Sequence, residues 1–340
     1  FGRFYKAYAS SEGKVEIRAK DGTNVDTSKI TVSQAVSNSI AYSTHNSTPP
    51  SEVVVTSPST QSTTYDTHSS TPPSAVVVTP AAVGDGVIDT NIISTAADGA
   101  YFVSTADIDG DGDIDVLSAS YLDDTVAWYE NNGSGAFTEH IISTAVYATY
   151  SVTTADVDGD GDMDVLSTSW NDDKIAWYEN DGSESFTEHT ITTAANGATS
   201  VTTADVDGDG DMDVLSASFY DDKIAWYEND GSEIFTAHTI TTAANAARSV
   251  TTADVDGDGD MDVLSASAND DTIAWYENDG SENFTEHTVS TGADYATSVT
   301  TADVDGDGDM DVLSASAVDD TIAWYQNDGS ENFTEQTIST

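Results

Sequence analysis

The stretch Asp205–Ser218 reads DVDGDGDMDVLSAS, five aspartates in nine residues with glycines set between them. It recurs unchanged at Asp254–Ser267 and Asp303–Ser316, and with one Thr for Ala at Asp156–Ser169. A near copy, DIDGDGDIDVLSAS, occupies Asp107–Ser120. The five starts, 107, 156, 205, 254 and 303, are each 49 residues apart. A fixed period of this size marks a repeat architecture.

One unit, Ser249–Thr291, reads SVTTADVDGDGDMDVLSASANDDTIAWYENDGSENFTEHTVST. Its blocks SVTTADV, MDVLSAS, TIAWYEN and FTEHTV are rich in β-branched and aromatic residues, as strands are. The separators DGDGD, NDD and DGSEN carry turn chemistry. No helical periodicity appears. Four short strands per period predict an all-β fold, a β-propeller of five 49-residue, four-stranded blades over residues 84–340. One such sheet buries too little to stand alone, so the blades must share faces. The Trp of each AWY block (Trp128, Trp177, Trp226, Trp275, Trp324) suits packing between sheets.

The front of the chain differs. Residues 1–40 predict a small N-terminal β segment, with FYKAYA and the alternating KVEIRAK as a hairpin. Residues 41–83 hold all six prolines and read as a Ser/Thr/Pro-rich linker, possessing its own 23-residue repeat. That repeat is YSTHNSTPPSEVVVT from Tyr42 and YDTHSSTPPSAVVVT from Tyr65, and its Val runs are strand material.

Charge narrows the function. The chain has 61 acidic and 9 basic residues, a net −52. Residues 1–83 hold six of each sign, leaving 55 acidic residues and only Lys174, Lys223 and Arg248 in the repeats. Such a body repels nucleic acid and anionic membranes. There is no cysteine to form a disulfide or thiolate site. No apolar run nears the ~18 residues of a membrane span, and no signal-peptide pattern is present. The chain opens on Phe1 and not on Met, as a processed product or an incomplete chain would, and a secreted protein is expected.

The aspartates are the candidate metal ligands. They are Asp107, Asp109, Asp111, Asp113 and Asp115; Asp156, Asp158, Asp160, Asp162 and Asp164; Asp205, Asp207, Asp209, Asp211 and Asp213; Asp254, Asp256, Asp258, Asp260 and Asp262; and Asp303, Asp305, Asp307, Asp309 and Asp311. Five carboxylates this close need a cation to stay ionised. Oxygen-only ligands at alternate positions select a hard ion, Ca²⁺ above others. Side chains at positions one, three, five and nine are expected to ligate. Position seven should offer its carbonyl and turn its side chain outward. The loop is not an EF-hand: position twelve is Ser167 where a bidentate Glu belongs.

The run SVTTADVDGDGDMDVLSAS (Ser200–Ser218) resembles the calcium-binding repeat of integrin α-type FG-GAP and VCBS β-propellers. The resemblance covers residues 84–340. It implies about five Ca²⁺, one per blade, in loops joining the first and second strands. It also makes SVTTADV innermost and FTEHTI outermost. Phe-Gly and Gly-Ala-Pro phrases are missing, the period is shorter than in integrins, and five loops stand where such propellers commonly have seven blades.

That order leaves one strand too many. Val87–Thr95 and Phe333–Thr340 both read as outer strands, and a closed ring needs one of them. The spare strand either augments a neighbouring copy, head to tail, or packs on its own rim. Loops before the DD pairs and between blades vary among repeats and share one face. Tyr121, Tyr147, Trp170, Phe219, Tyr220 and Tyr295 make that face the candidate contact surface. The DD pairs read as solvated turns, because five equivalent copies do not make one asymmetric catalytic site. His140, His189, His238 and His287 read as strand-surface residues. With no nucleophile elbow, phosphate loop or zinc motif, no enzyme is expected. Sequons at Asn46, Asn132, Asn283 and Asn332 are candidate glycosylation sites. The expected function is an extracellular structural subunit that polymerises with itself into a filament or surface layer. The alternative is a multivalent lectin or adhesin.

Overall fold

The computed structural model describes residues 92–339 and, within residues 1–91, the strands alone. The chain divides into two units, Phe1–Asn91 and Ile92–Thr340. In the first, β1 (Lys6–Ala9) and β2 (Val15–Arg18) form the expected antiparallel hairpin. Then β3 (Lys29–Ser33), β5 (Glu52–Ser57) and β7 (Ala75–Pro80) pair in parallel, as do β4 (Ile40–Thr44) and β6 (Thr63–Thr67). Val32 registers with Val55 and Val55 with Val78, while Tyr42 registers with Tyr65. The stretch read as a linker thus stacks its 23-residue period strand on strand.

The second unit is five antiparallel sheets, each built from one repeat in the order of the chain. Blade one is β8 to β11 (Ala100–Ala106, Asp115–Ser120, Thr125–Asn131, Phe137–Ser143) and blade two β12 to β15 (Thr149–Ala155, Asp164–Ser169, Lys174–Asn180, Phe186–Thr192). Blade three is β16 to β19 (Ala198–Ala204, Asp213–Ser218, Lys223–Asn229, Phe235–Thr241). Blade four is β20 to β23 (Ala247–Ala253, Asp262–Ser267, Thr272–Asn278, Phe284–Ser290) and blade five β24 to β27 (Ala296–Ala302, Asp311–Ser316, Thr321–Asn327, Phe333–Ser339). Among the described residues no blade borrows a strand. Phe333–Ser339 edges its own blade, Ile92–Thr95 is not a strand, and Val87–Asn91 lies outside the described residues. No helix among the described residues is long and apolar enough to cross a membrane.

Strand alternation gives each blade two apolar faces. Leu166, Ile175 and Trp177 of blade two pack on Val201, Val214, Ala225 and Tyr227 of blade three. The same residue types meet at the other three interfaces. Each fully buried Leu, Ile or Trp stabilises its interface by roughly 1.5–3 kcal/mol. Trp128, Trp177, Trp226 and Trp275 are buried there, as packing residues should be. Each also stacks on the histidine across the strand, which bonds a Glu: Trp275 on His287 (centroids 4.5 Å apart), with His287 Nε2 2.8 Å from Glu277 Oε2. The histidines are therefore half-buried partners rather than plain surface residues. In blade five both members of the pair become glutamine, Gln326 and Gln336.

The inner strands pack in one series, β8, β12, β16, β20, β24, and among the described residues β24 does not become a neighbour of β8. The series is open. Val103 is 64% exposed where its counterpart Val152 is 0%. At the other end Val304 and Ile322 are 45% and 42% exposed, against 3% and 0% for Val255 and Ile273.

Candidate functional site

Each aspartate loop lies between the first and second strands of its blade. Gly159 and Gly161 hold φ of +77° and +100°, and a Cβ on either would meet open space. Glycine is required there for its backbone alone. The turn brings together one carboxylate oxygen from each of positions one, three and nine. In blade two these are Asp156, Asp158 and Asp164, and the grouped oxygens lie within 4.8 Å of one another. The matching trios are Asp107, Asp109 and Asp115; Asp205, Asp207 and Asp213; Asp254, Asp256 and Asp262; and Asp303, Asp305 and Asp311.

Position nine anchors the group. Asp164 is fully buried, and its two oxygens accept from the backbone N–H groups of Asn180 (2.8 Å) and Val157 (2.9 Å). Burial pushes its carboxyl up to about 7, and those of Asp213 and Asp262 to about 6. Burial, and then neighbouring carboxylates, also raise Asp158, Asp207 and Asp256. Asp107 Oδ1 and Asp156 Oδ1 are buried without a hydrogen-bond partner among the described residues. Orphaned, crowded carboxylate oxygens with no nitrogen or sulfur donor fit a hard cation. The five clusters can each hold a metal ion.

The remaining aspartates act locally. Position five, Asp160, accepts the N–H of Asp162 (2.9 Å). Position seven turns from the trio but not to open solvent. A Cβ on Gly182, in the loop between the third and fourth strands, would stand 2.4 Å from Asp162 Oδ2. The two loops thus abut, and a glycine makes the approach possible.

A strap joins each metal loop to the next blade. Asn180, Asn229, Asn278 and Asn327 end their third strands, buried, and donate through Nδ2 across the interface. The acceptors are the carbonyls of Ile108 (3.0 Å), Val157 (2.9 Å), Val206 (2.9 Å) and Val255 (3.1 Å), each the second residue of the preceding blade's loop.

At the opposite ends of the strands the variable loops converge. Rings touch in sequence across three blades: Tyr101 with Tyr150 (4.4 Å), Tyr121 with Tyr150 (5.3 Å), Tyr150 with Trp170 (4.8 Å), and Trp170 with Phe219 (5.2 Å) and Tyr220 (5.0 Å). Arg248 of blade four lies over Phe219 (4.5 Å) and bonds Tyr295, ahead of blade five. Five of the six residues named from sequence join this face. Tyr147 is exposed on the same loops but outside the described ring contacts. Sequence reading missed Tyr101, Tyr150 and Arg248, because each sits at a β-bulge that re-aims it. The signal was there: in A-x-S-V-T-T-A-D the position x reads Tyr, Tyr, Thr, Arg, Thr, while around it only Phe102, Ser104 and Thr149 depart from the pattern.

The DD pairs are tied down rather than simply solvated. Asp124, Asp173, Asp222 and Asp271 accept the N–H of Ala148, Gly197, Ala246 and Tyr295 (2.7–3.0 Å), fixing the left-handed residue before each inner strand. Among the sequons, the amide nitrogens of Asn283 and Asn332 are held by Asp279 and Asp328, whereas Asn132 uses its oxygen. Asn46 lies outside the described residues.

A family model described as an FG-GAP-like repeat matches five times, at residues 107–167, 157–216, 205–265, 254–314 and 303–340. No curated protein matches the chain. Solved structures share the fold at low identity. An Agrocybe aegerita lectin, solved for recognition of non-reducing terminal N-acetylglucosamine, is 19% identical with a TM-score of 0.52, over 71% of this chain and 66% of its own. A Lactobacillus plantarum protein is 14% identical (TM-score 0.54, 71% of each chain), and a streptogramin B lyase 17% (TM-score 0.52, 73% and 72%).

Proposed function

This chain belongs to the FG-GAP-like repeat family, and from that membership we propose a calcium-stapled, non-catalytic binding protein of the extracellular space whose ligand is carbohydrate. The observation that carries the ligand is the run of partly exposed rings from Tyr101 to Tyr220. Aromatic faces stack on the C–H faces of sugars, and Tyr and Trp add a polar handle. Five all-oxygen trios support Ca²⁺ as the ion. Asp156, Asp158 and Asp164, and their counterparts, would hold it, and bound ions would reduce the −52 of the chain to about −42. The equivalence of the five loops favours staples over a catalytic centre. A glycan array probed in millimolar calcium, with Trp170→Ala beside the native protein, tests the reading. Glycan binding lost in the variant supports it; no binding, or binding untouched by the variant, sinks it.

Self-assembly is the second reading, favoured by the bare end faces. Val304 and Ile322 repeat the residues that elsewhere pack on a face like that of Val103, so a second copy offers the matching surface. Light scattering shows multimers in that case, and Ile322→Asp dissolves them. Monomers at all concentrations exclude it.

A further inference from the structure

We infer that the saccharide bound by the aromatic face carries a carboxylate, and that Arg248 is the residue that reads it. This deepens the carbohydrate reading and rests on it. Arg248 occupies the bulge of its inner strand, the position that varies while its neighbours repeat. At the same position Thr199 and Thr297 fold back, their Oγ1 donating to the carbonyls of Ala217 and Ala315. Arg248 does not. Its guanidinium lies 4.5 Å over Phe219 and 5.4 Å over Tyr295, and Nη2 donates to Tyr295 Oη at 2.7 Å.

The repeats contain three cations. Lys174 pairs with Glu188 (2.7 Å) and Lys223 with Asp221 (3.0 Å). Among the described residues Arg248 has no carboxylate partner, although 55 acidic residues share residues 84–340 with it. Its Nε is buried and unpartnered, and the stacked ring and the tyrosine hold the plane of the fork. Tyr295 is itself held in place at φ +60°, unusual for a bulky residue, by Asp271. A flat, held guanidinium whose Nη groups keep unpaired N–H donors among the described residues is matched to a carboxylate, which those two groups can grip with two bonds.

The acidity of the protein opposes an anionic ligand but does not decide the matter. The metal loops lie at the far ends of seven-residue strands, about 20 Å away, beyond two Debye lengths of ~8 Å. On the near face, the second Asp of four DD pairs is committed to a backbone N–H. Those carboxylates keep their charge, so the Arg248 contact must outweigh their repulsion; a charge-assisted contact at a partly desolvated Arg is worth about tenfold or more in affinity.

The test uses the full chain in millimolar calcium, with an array of uronic-acid oligosaccharides each printed beside its carboxyl-reduced counterpart. Native protein should prefer the acid member by about tenfold or more. Arg248→Gln should erase that preference while leaving weak binding of both members, and Arg248→Lys should keep part of it. Equal binding of acid and reduced members, or a preference that survives Arg248→Gln, overturns the inference and leaves the carbohydrate reading standing. If no saccharide of either kind binds, both fall. The comparison on native protein needs no variant to fold.

Discussion

Calcium removal should leave a protein that becomes more stable as the solution is acidified, opposite to the usual behaviour of carboxylates. Asp164, Asp213 and Asp262 are 0% exposed, and burial raises them from 3.8 to about 7, 6 and 6. Without a cation the folded chain therefore binds protons more tightly than the unfolded chain between about pH 4 and 7. Stability falls as pH rises through that window, because the native state holds more protons. At 1.36 kcal/mol per pH unit the cost of ionising them is about 4 kcal/mol for Asp164 and about 3 kcal/mol for each of the others. The total, about 10 kcal/mol, rivals the whole stability of a typical domain. Repulsion among the remaining carboxylates has the same sign. Urea denaturation in calcium-free buffer should thus show a midpoint that climbs from pH 8 to pH 5.5. In saturating calcium the trend inverts, because protons then compete with the ion for the same oxygens. A calcium-free midpoint that is flat or falls on acidification would refute the account of these buried groups.

Three further outcomes follow from particular contacts. Asn278→Ala strips a buried donor from the carbonyls of Val206 and Met261, and should cost about 2–4 kcal/mol by denaturant unfolding in calcium. Gly280→Ala sets a Cβ 2.4 Å from Asp260 Oδ2 at a positive φ, and should cost about 1–3 kcal/mol, with weaker calcium binding in blade four by titration calorimetry. Glu277→Gln and His287→Gln should each cost about 0.5 kcal/mol, yet less together than their sum, since blade five already carries glutamine at both places.

Much of the fold was legible because turn chemistry at Asp and Gly recurs with an unbroken 49-residue period. Spacing pointed to positions one, three, five and nine as ligands, and folding groups oxygens of one, three and nine. Other features were closed to sequence for physical reasons. The role of Asp162 depends on Gly182, twenty residues away, which only folding brings to it. The aim of Tyr101, Tyr150 and Arg248 depends on a bulge, and a one-residue irregularity leaves no mark on an alternating pattern. Parallel pairing in residues 29–80 was hidden by Ser, Thr and Pro, whose abundance argues for a linker until register is known. An open series was equally hidden, since identical repeats say nothing about what covers the outermost faces.

The asparagine straps give the array a direction in time. Each reaches backwards, so the acceptor of every strap lies in a blade made before its own. Order of synthesis and order of docking then coincide, and no blade waits on one still to emerge. With an ion in each loop, its removal from one should loosen the hold on the following blade, so loss would run in the same direction along the chain. In blade one the Asn131 Nδ2 donates only to Ile114 of its own loop among the described residues, so such a sequence would start there.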